Sequence, residues 1–249
     1  MTRLFLPLLL LVTSTAQARV FNINKETFAA YFLATGGGSA LGDSAVKGES
    51  GATIGFSEEV KYNYSGEFGF LYSRPQASLR FGFEILKPQT MNNSTANNGT
   101  DDLYTASSDL LGYAPKLTLE VNLQRTNTYR SFVSLTGGYA NVTMKNDYTL
   151  TAAGQTAFPG VSDHAVEAKG SGTLLGASLG YEGIMTDTTT VLVEFGYRQL
   201  KVDNLEYTKS VTTFSGAKNS GDPVLTSSGS KRELDFSGAF ISIGFRFYL

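Results

Sequence analysis

The last nine residues, Ile241-Ser242-Ile243-Gly244-Phe245-Arg246-Phe247-Tyr248-Leu249, leave the chain few folds to choose from. Ile241, Ile243, Phe245, Phe247 and Leu249 share one parity, whereas Ser242, Gly244, Arg246 and Tyr248 share the other. Alternate residues of a strand face opposite sides, so a strand here has one wholly apolar face and one polar or small face. A soluble domain seldom finishes this way, because chain ends fray at the surface. A transmembrane barrel can, since lipid solvates its outer face and its interior is polar.

The same period of two recurs upstream, and no segment holds a helical apolar period for long. Eight segments are predicted: 27–37, 60–72, 77–87, 110–123, 129–143, about 174–182, about 191–198 and 234–249. The third sets Leu79, Phe81, Phe83 and Ile85 against Ser78, Arg80, Gly82 and Glu84. The first is ambiguous, with Ala29, Tyr31 and Leu33 on one parity and Phe28 and Phe32 on the other. In the fourth, Pro115 cannot donate a ladder hydrogen bond, which predicts a bulge or local distortion.

Connector lengths alternate strictly. Short links at 73–76, 125–128 and 185–188 interleave with long ones at about 38–59, 88–109, 144–170 and 203–233, rich in Gly, Ser, Thr, Asn and Asp. Three short turns and four long loops connect an eight-stranded antiparallel up-and-down β-barrel with both termini on one side. A ten-strand count stays open if part of the first long connector, such as Ala52–Phe56, pairs.

Residues 1–18 have the pattern of a cleaved secretory signal: Arg3, the apolar run Leu4–Val12, and Ala16-Gln17-Ala18. That run has about half the length a spanning helix needs. Residues 19–249 are then the expected barrel. Cysteine is absent, so stability in an oxidising compartment must come from something other than disulfides. A formal net charge of −2 with no basic cluster gives no footprint for nucleic acid.

With these features the chain resembles the small outer-membrane barrel superfamily, which includes the OmpA transmembrane domain, OmpX and opacity-type surface antigens. The resemblance covers residues 19–249 and is architectural. It implies residence in the cell outer membrane after signal cleavage, with outer-membrane lipid and the barrel insertion machinery as partners. It also implies that the tail is the insertion signal, with Ile243, Phe245 and Phe247 on the alternating apolar positions. Leu249 departs from the terminal Phe typical of the family. OmpA-type proteins often continue into a peptidoglycan-binding domain; the sequence ends on its eighth segment, so that function is not expected.

Aromatic residues fall where interfacial girdles belong: Tyr72, Tyr129, Tyr181 and Phe247 towards the short turns, Tyr62, Tyr113, Tyr139 and Tyr197 towards the long loops. The inward parity carries Glu67, Arg80, Glu84, Lys116, Glu120, Glu182, Glu194, Arg198 and Arg246. Counting depth from the short-turn end predicts two cross-strand ion pairs, Arg80 with Glu120 and Glu84 with Lys116. An eight-stranded barrel is just wide enough for its own side chains, so these charges are expected to form a polar plug.

His164, the single histidine, lies in Val161-Ser162-Asp163-His164 of the third long connector. Consecutive loop residues do not converge as a catalytic triad must. Asp101 and Asp102 match no recognised calcium loop. No catalytic residue, metal site or cofactor is therefore expected. The predicted function is display of surface loops for adhesion, host or environmental contact, or envelope integrity, through a ligand the sequence does not identify. The rivals are a narrow channel for ions or small solutes, a lipid-modifying enzyme, and a soluble lipocalin-like carrier.

Overall fold

Each alternating segment forms a strand: β1 Phe28–Gly42, β2 Val60–Ser73, β3 Ala77–Pro88, β4 Asp102–Arg125, β5 Tyr129–Leu150, β6 His164–Ile184, β7 Thr189–Val202 and β8 Gly238–Tyr248. The computed structural model describes residues 21–47, 50–51 and 54–249. The predicted signal and its cleavage site lie outside the described residues, as do Ala52 and Thr53. Every consecutive pair of strands is antiparallel, and β8 returns to β1 from Ala29↔Tyr248 to Gly37↔Phe240, closing an eight-membered ring. Closure leaves no open edge along the wall, which is how a β-structure satisfies its backbone inside lipid.

Burial settles the first strand: Ala29, Tyr31 and Leu33 are buried inside the barrel, while Phe28 and Phe32 face out. The distortion expected at Pro115 takes the form of an interruption and not of a bulge: Ala114 and Pro115 have no paired residue on β5. Phe83 pairs with Pro115, and the β4–β5 register is the same on either side of it, from Tyr113↔Asn141 to Lys116↔Gly138. Proline removes a donor without adding a residue, and only an added residue shifts a register. The shift in this pair lies between Asn122 and Gln124 instead. The ring count stays at eight, because Gly55–Phe56 pairs with Asn97–Ala96 on the short strand Met91–Asn97, outside the ring.

Large exposed apolar side chains stop abruptly along each strand. Their last positions towards the long connectors are Phe32, Tyr62, Ile85, Tyr113, Tyr139, Leu175, Tyr197 and Ile241. On β2 the exposed belt runs from Tyr62 to Tyr72, ten steps that rise roughly 25 Å for strands of ~3.3 Å per residue tilted about 40°. That matches the apolar band of a membrane barrel.

Above this boundary the wall continues as a water-facing head, and the alternation inverts. On β5, Val133, Leu135 and Tyr139 face out below, while Val142, Met144, Tyr148 and Leu150 face in above. The connectors predicted at 88–109 and 144–170 are therefore largely folded. They contain Met91–Asn97, the outer parts of β4, β5 and β6, and a short helix, α1, Ala152–Ala157. The head has its own apolar core, with Leu41, Leu86, Leu110, Leu200 and Phe236 near its base and Tyr104 and Tyr148 further out. A second apolar cluster, with Ile23, Leu71, Phe132 and Tyr248, closes the short-turn end.

Candidate functional site

Between the two apolar cores the barrel is filled by charge. All nine inward charges predicted from the sequence point into this layer, and Lys116, with a side chain 12% exposed, is the least buried. The alternation of β2–β4 and β6–β8 places them there, polar parity inward. Arg130 at the start of β5 joins them, fully buried, and brings the layer to five cations and five carboxylates among the described residues. Its parity matches inward Ser134 and Thr136, but it adjoins the 125–128 turn, where the sequence pattern does not separate turn from strand.

The turn-end group is built on two glutamates. Glu120 meets Arg80 Nε at 3.1 Å, Arg130 Nη2 at 2.6 Å and Arg246 Nη2 at 2.6 Å. Glu182 meets Arg130 Nε at 2.6 Å and Arg246 Nη1 at 2.5 Å, and accepts hydrogen bonds from Tyr248 (2.8 Å) and Thr190 (2.5 Å). Arg80 also forks onto Glu194, at 2.5 and 3.2 Å. Arg130 and Arg246 lie over the Phe132 ring at 4.9 and 5.5 Å. A Cβ at Gly180 would strike that ring, so only glycine lets Phe132 lie flat there.

In the head-side group Lys116 bridges Glu67 (2.6 Å) and Glu84 (2.9 Å), and Arg198 reaches Glu84 at 2.9 Å. Tyr31 donates to Glu67 at 2.6 Å. The structure thus brings Arg80 to Glu120 and Glu84 to Lys116, each pair diagonal across β3 and β4, since Arg80 sits opposite Thr118 and Glu84 opposite Ala114. A cavity of about 30 Å³ lined by residues of both groups, including Glu67, Arg80, Glu84 and Arg198, has room for about one or two water molecules. Burying ten charges is tolerable because each is matched, and loss of any one leaves its partners short of a counter-charge.

The predicted girdle tyrosines face outward. Tyr62, Tyr72, Tyr113, Tyr139, Tyr181 and Tyr197 are exposed, and half-buried Tyr129 stacks on Tyr181 at 5.7 Å. Ile243, Phe245, Phe247 and Leu249 of the tail also face outward.

His164 is not on a loop but opens β6. Its Nδ1 lies 2.9 Å from the Ser162 carbonyl oxygen, and Asp163 Oδ1 accepts from the Leu150 amide at 2.8 Å. The ring stacks on Tyr148, so Ser162, Asp163 and His164 do not form a nucleophile–base–carboxylate relay. Asp102 is taken up by Asn97 Nδ2 at 2.7 Å. Among the described residues, no group of three metal-ligating side chains converges.

No protein-family model matches the sequence, and neither does any curated protein. Solved structures similar to the chain include the outer membrane protein OprG from Pseudomonas aeruginosa, at 13% identity over 93% of this chain and 99% of that one, with a TM-score of 0.49. Neisserial surface protein A is similar at 11% identity, over 89% and 96% of the two chains, with a TM-score of 0.41. The outer membrane protease OmpT from Escherichia coli is similar at 8% identity, over 92% and 98%, with a TM-score of 0.41. The architecture described above rests on the strand pairing itself.

Proposed function

We propose that this chain is an outer-membrane barrel that holds a folded β-rich head at the cell surface for recognition, and that it neither conducts solutes nor catalyses a reaction. The observation that carries this reading is the charge-filled lumen. Five cations and five carboxylates neutralise one another around about 30 Å³ of free space, between two apolar cores. An ion entering would have to displace matched charges and then cross the head core, where nothing replaces its hydration. The lipid-solvated belt and the signal-like leader support the outer-membrane location. Rigid walls that carry surface connectors suit recognition, whether adhesion, environmental contact or envelope integrity.

The test is electrical. Residues 19–249 reconstituted in planar bilayers should give no reproducible conductance steps. Steady steps that change size in Glu84→Gln or Lys116→Ala would replace this reading with the channel. For the catalytic alternative, the measurement is outer-membrane lipid composition on overexpression, which should not change.

A further inference from the structure

The outermost part of the head is held by an aromatic latch that contains the only histidine. Residues 205–224 lie across the outer end of β6, where Glu206 and Tyr207 pair with Lys169 and Ala168 and Lys209 Nζ reaches Glu167 at 3.1 Å. Beyond these contacts the hairpin of Val211–Thr213 and Gly216–Lys218 is anchored through Phe214. The Phe214 ring lies 4.8 Å from Tyr104, 5.5 Å from Tyr148, 4.9 Å from Phe158 and 4.9 Å from His164. His164 in turn stacks on Tyr148 at 5.0 Å. Tyr104 and Tyr148 belong to the buried head core, and Phe214, His164 and Phe158, the last 6.3 Å from Tyr104, cover it.

The neutral imidazole completes this arrangement. Nδ1 faces the Ser162 carbonyl and so carries the hydrogen, while Nε2 is buried without a hydrogen-bond partner. Protonation puts an N–H and a positive charge at Nε2, among aromatic rings and with no acceptor. The neighbouring polar groups are already engaged. On β5, Tyr148 accepts from Asn146; on β4, Tyr104 meets the Ser50 hydroxyl; before β6, the Oδ1 of Asp163 accepts from Leu150. Helix α1 has no titratable residue, and the hairpin has only Lys218, at its base opposite Val211. On β6, Glu167 is held below the ordinary carboxylate range by its hydrogen bond from Lys209, so it stays ionised while a histidine titrates. The Tyr148 face attracts an imidazolium, but an unpaired charged donor loses more in desolvation than one ring returns.

We infer that protonation of His164 unlatches the 211–218 hairpin, making the head acid-responsive and uncovering the aromatic floor formed by Tyr104 and Tyr148. The latch holds while the imidazole is neutral and releases when the ring takes up a second proton. The inference rests on the surface-head reading, but its test reports on the hairpin whether or not the head has a ligand.

The test is hydrogen exchange of residues 19–249 in detergent at pH 7.5 and 5.0, corrected for intrinsic rates. Peptides covering 207–218 should open about tenfold more at the lower pH, with the strand segments below Tyr113 and Tyr139 unchanged. His164→Phe, which keeps a ring on Tyr148 and cannot titrate, should remove the response. Equal protection at both pH values, or the same response in the variant, would overturn the proposal. If that variant does not fold, the wild-type NMR signal of the sole imidazole decides. Its titration should move the Phe214 ring signals, and titration that leaves them still would also overturn the proposal.

Discussion

Along β5 the chain passes from lipid to water outside the barrel, and inside it the change runs the other way. Below Tyr139 the outer face carries Val133 and Leu135, and the inner face carries Arg130, Ser134 and Thr136. Above it the outer face carries Asn141, Thr143, Lys145 and Asp147, and the inner face carries Val142, Met144 and Tyr148. On the β6 side of β5 the pairing runs unbroken through both halves, from Tyr129↔Gly183 to Tyr148↔His164. A single wall therefore supports two opposite solutions. In lipid the outside is solvated by apolar chains, and the interior holds together by matched charge. In water the outside is polar, and the interior holds together by apolar burial. The head is the ordinary soluble arrangement, and the membrane half is its inverse.

The sharpest way to break this contrast is to unbalance the charged layer. Glu120→Ala removes one of two carboxylate partners from Arg80, Arg130 and Arg246 at once and should cost about 3–5 kcal/mol, the usual penalty for breaking a buried ion pair. Urea unfolding of the barrel in detergent, followed by the gel-mobility shift between boiled and unboiled samples, measures it. The matching change in the head is Met144→Ala. It should cost ~2–5 kcal/mol by cavity formation, yet confine the damage. Hydrogen exchange should rise in residues 140–150 while the mobility shift persists.

Two changes on the same outward face of β5 sharpen the boundary. Leu135→Lys, inside the lipid belt, should destabilise by roughly 2–4 kcal/mol in liposomes, while Thr149→Lys on the head should stay within about 0.5 kcal/mol. Equal costs would place the boundary elsewhere. The smallest effect belongs to the exposed Glu167–Lys209 pair. Its hydrogen bond lowers the Glu167 carboxyl, so its contribution is present above the ordinary carboxylate range and fades as pH falls through the lowered value. Glu167→Gln should loosen residues 205–211 slightly, an effect that vanishes in high salt.

The membrane half was legible in the sequence because lipid demands apolar residues on one constant parity, and eight segments meet that demand. The head was not, because its pattern is the same alternation with the parity exchanged. Val142, Met144, Tyr148 and Leu150 form as regular a series as Val133 and Leu135, but between polar residues they resemble a loop when the apolar face is expected to point outward. Arg130 was lost for a different reason: it lies one residue inside β5, where turn and strand are hard to separate without the pairing Arg130↔Glu182. The distortion expected at Pro115 is a break in the β4–β5 ladder and not a bulge, because a missing donor interrupts a ladder without changing its register. The two ion pairs expected from depth alone are in contact because diagonal neighbours across β3 and β4 lie within reach of long side chains.

Inversion of the wall at Tyr139 can be read out by site-directed spin labelling along β5. The chain has no cysteine, so single cysteines from 131 to 150 can be labelled in turn and read in liposomes with oxygen and a water-soluble relaxant. Oxygen access is expected at 133, 135 and 137, access to the aqueous relaxant at 141, 143, 145, 147 and 149, and little of either at even positions throughout. Oxygen access that continues past 141, or even positions reached by the aqueous relaxant above 140, would contradict the inversion.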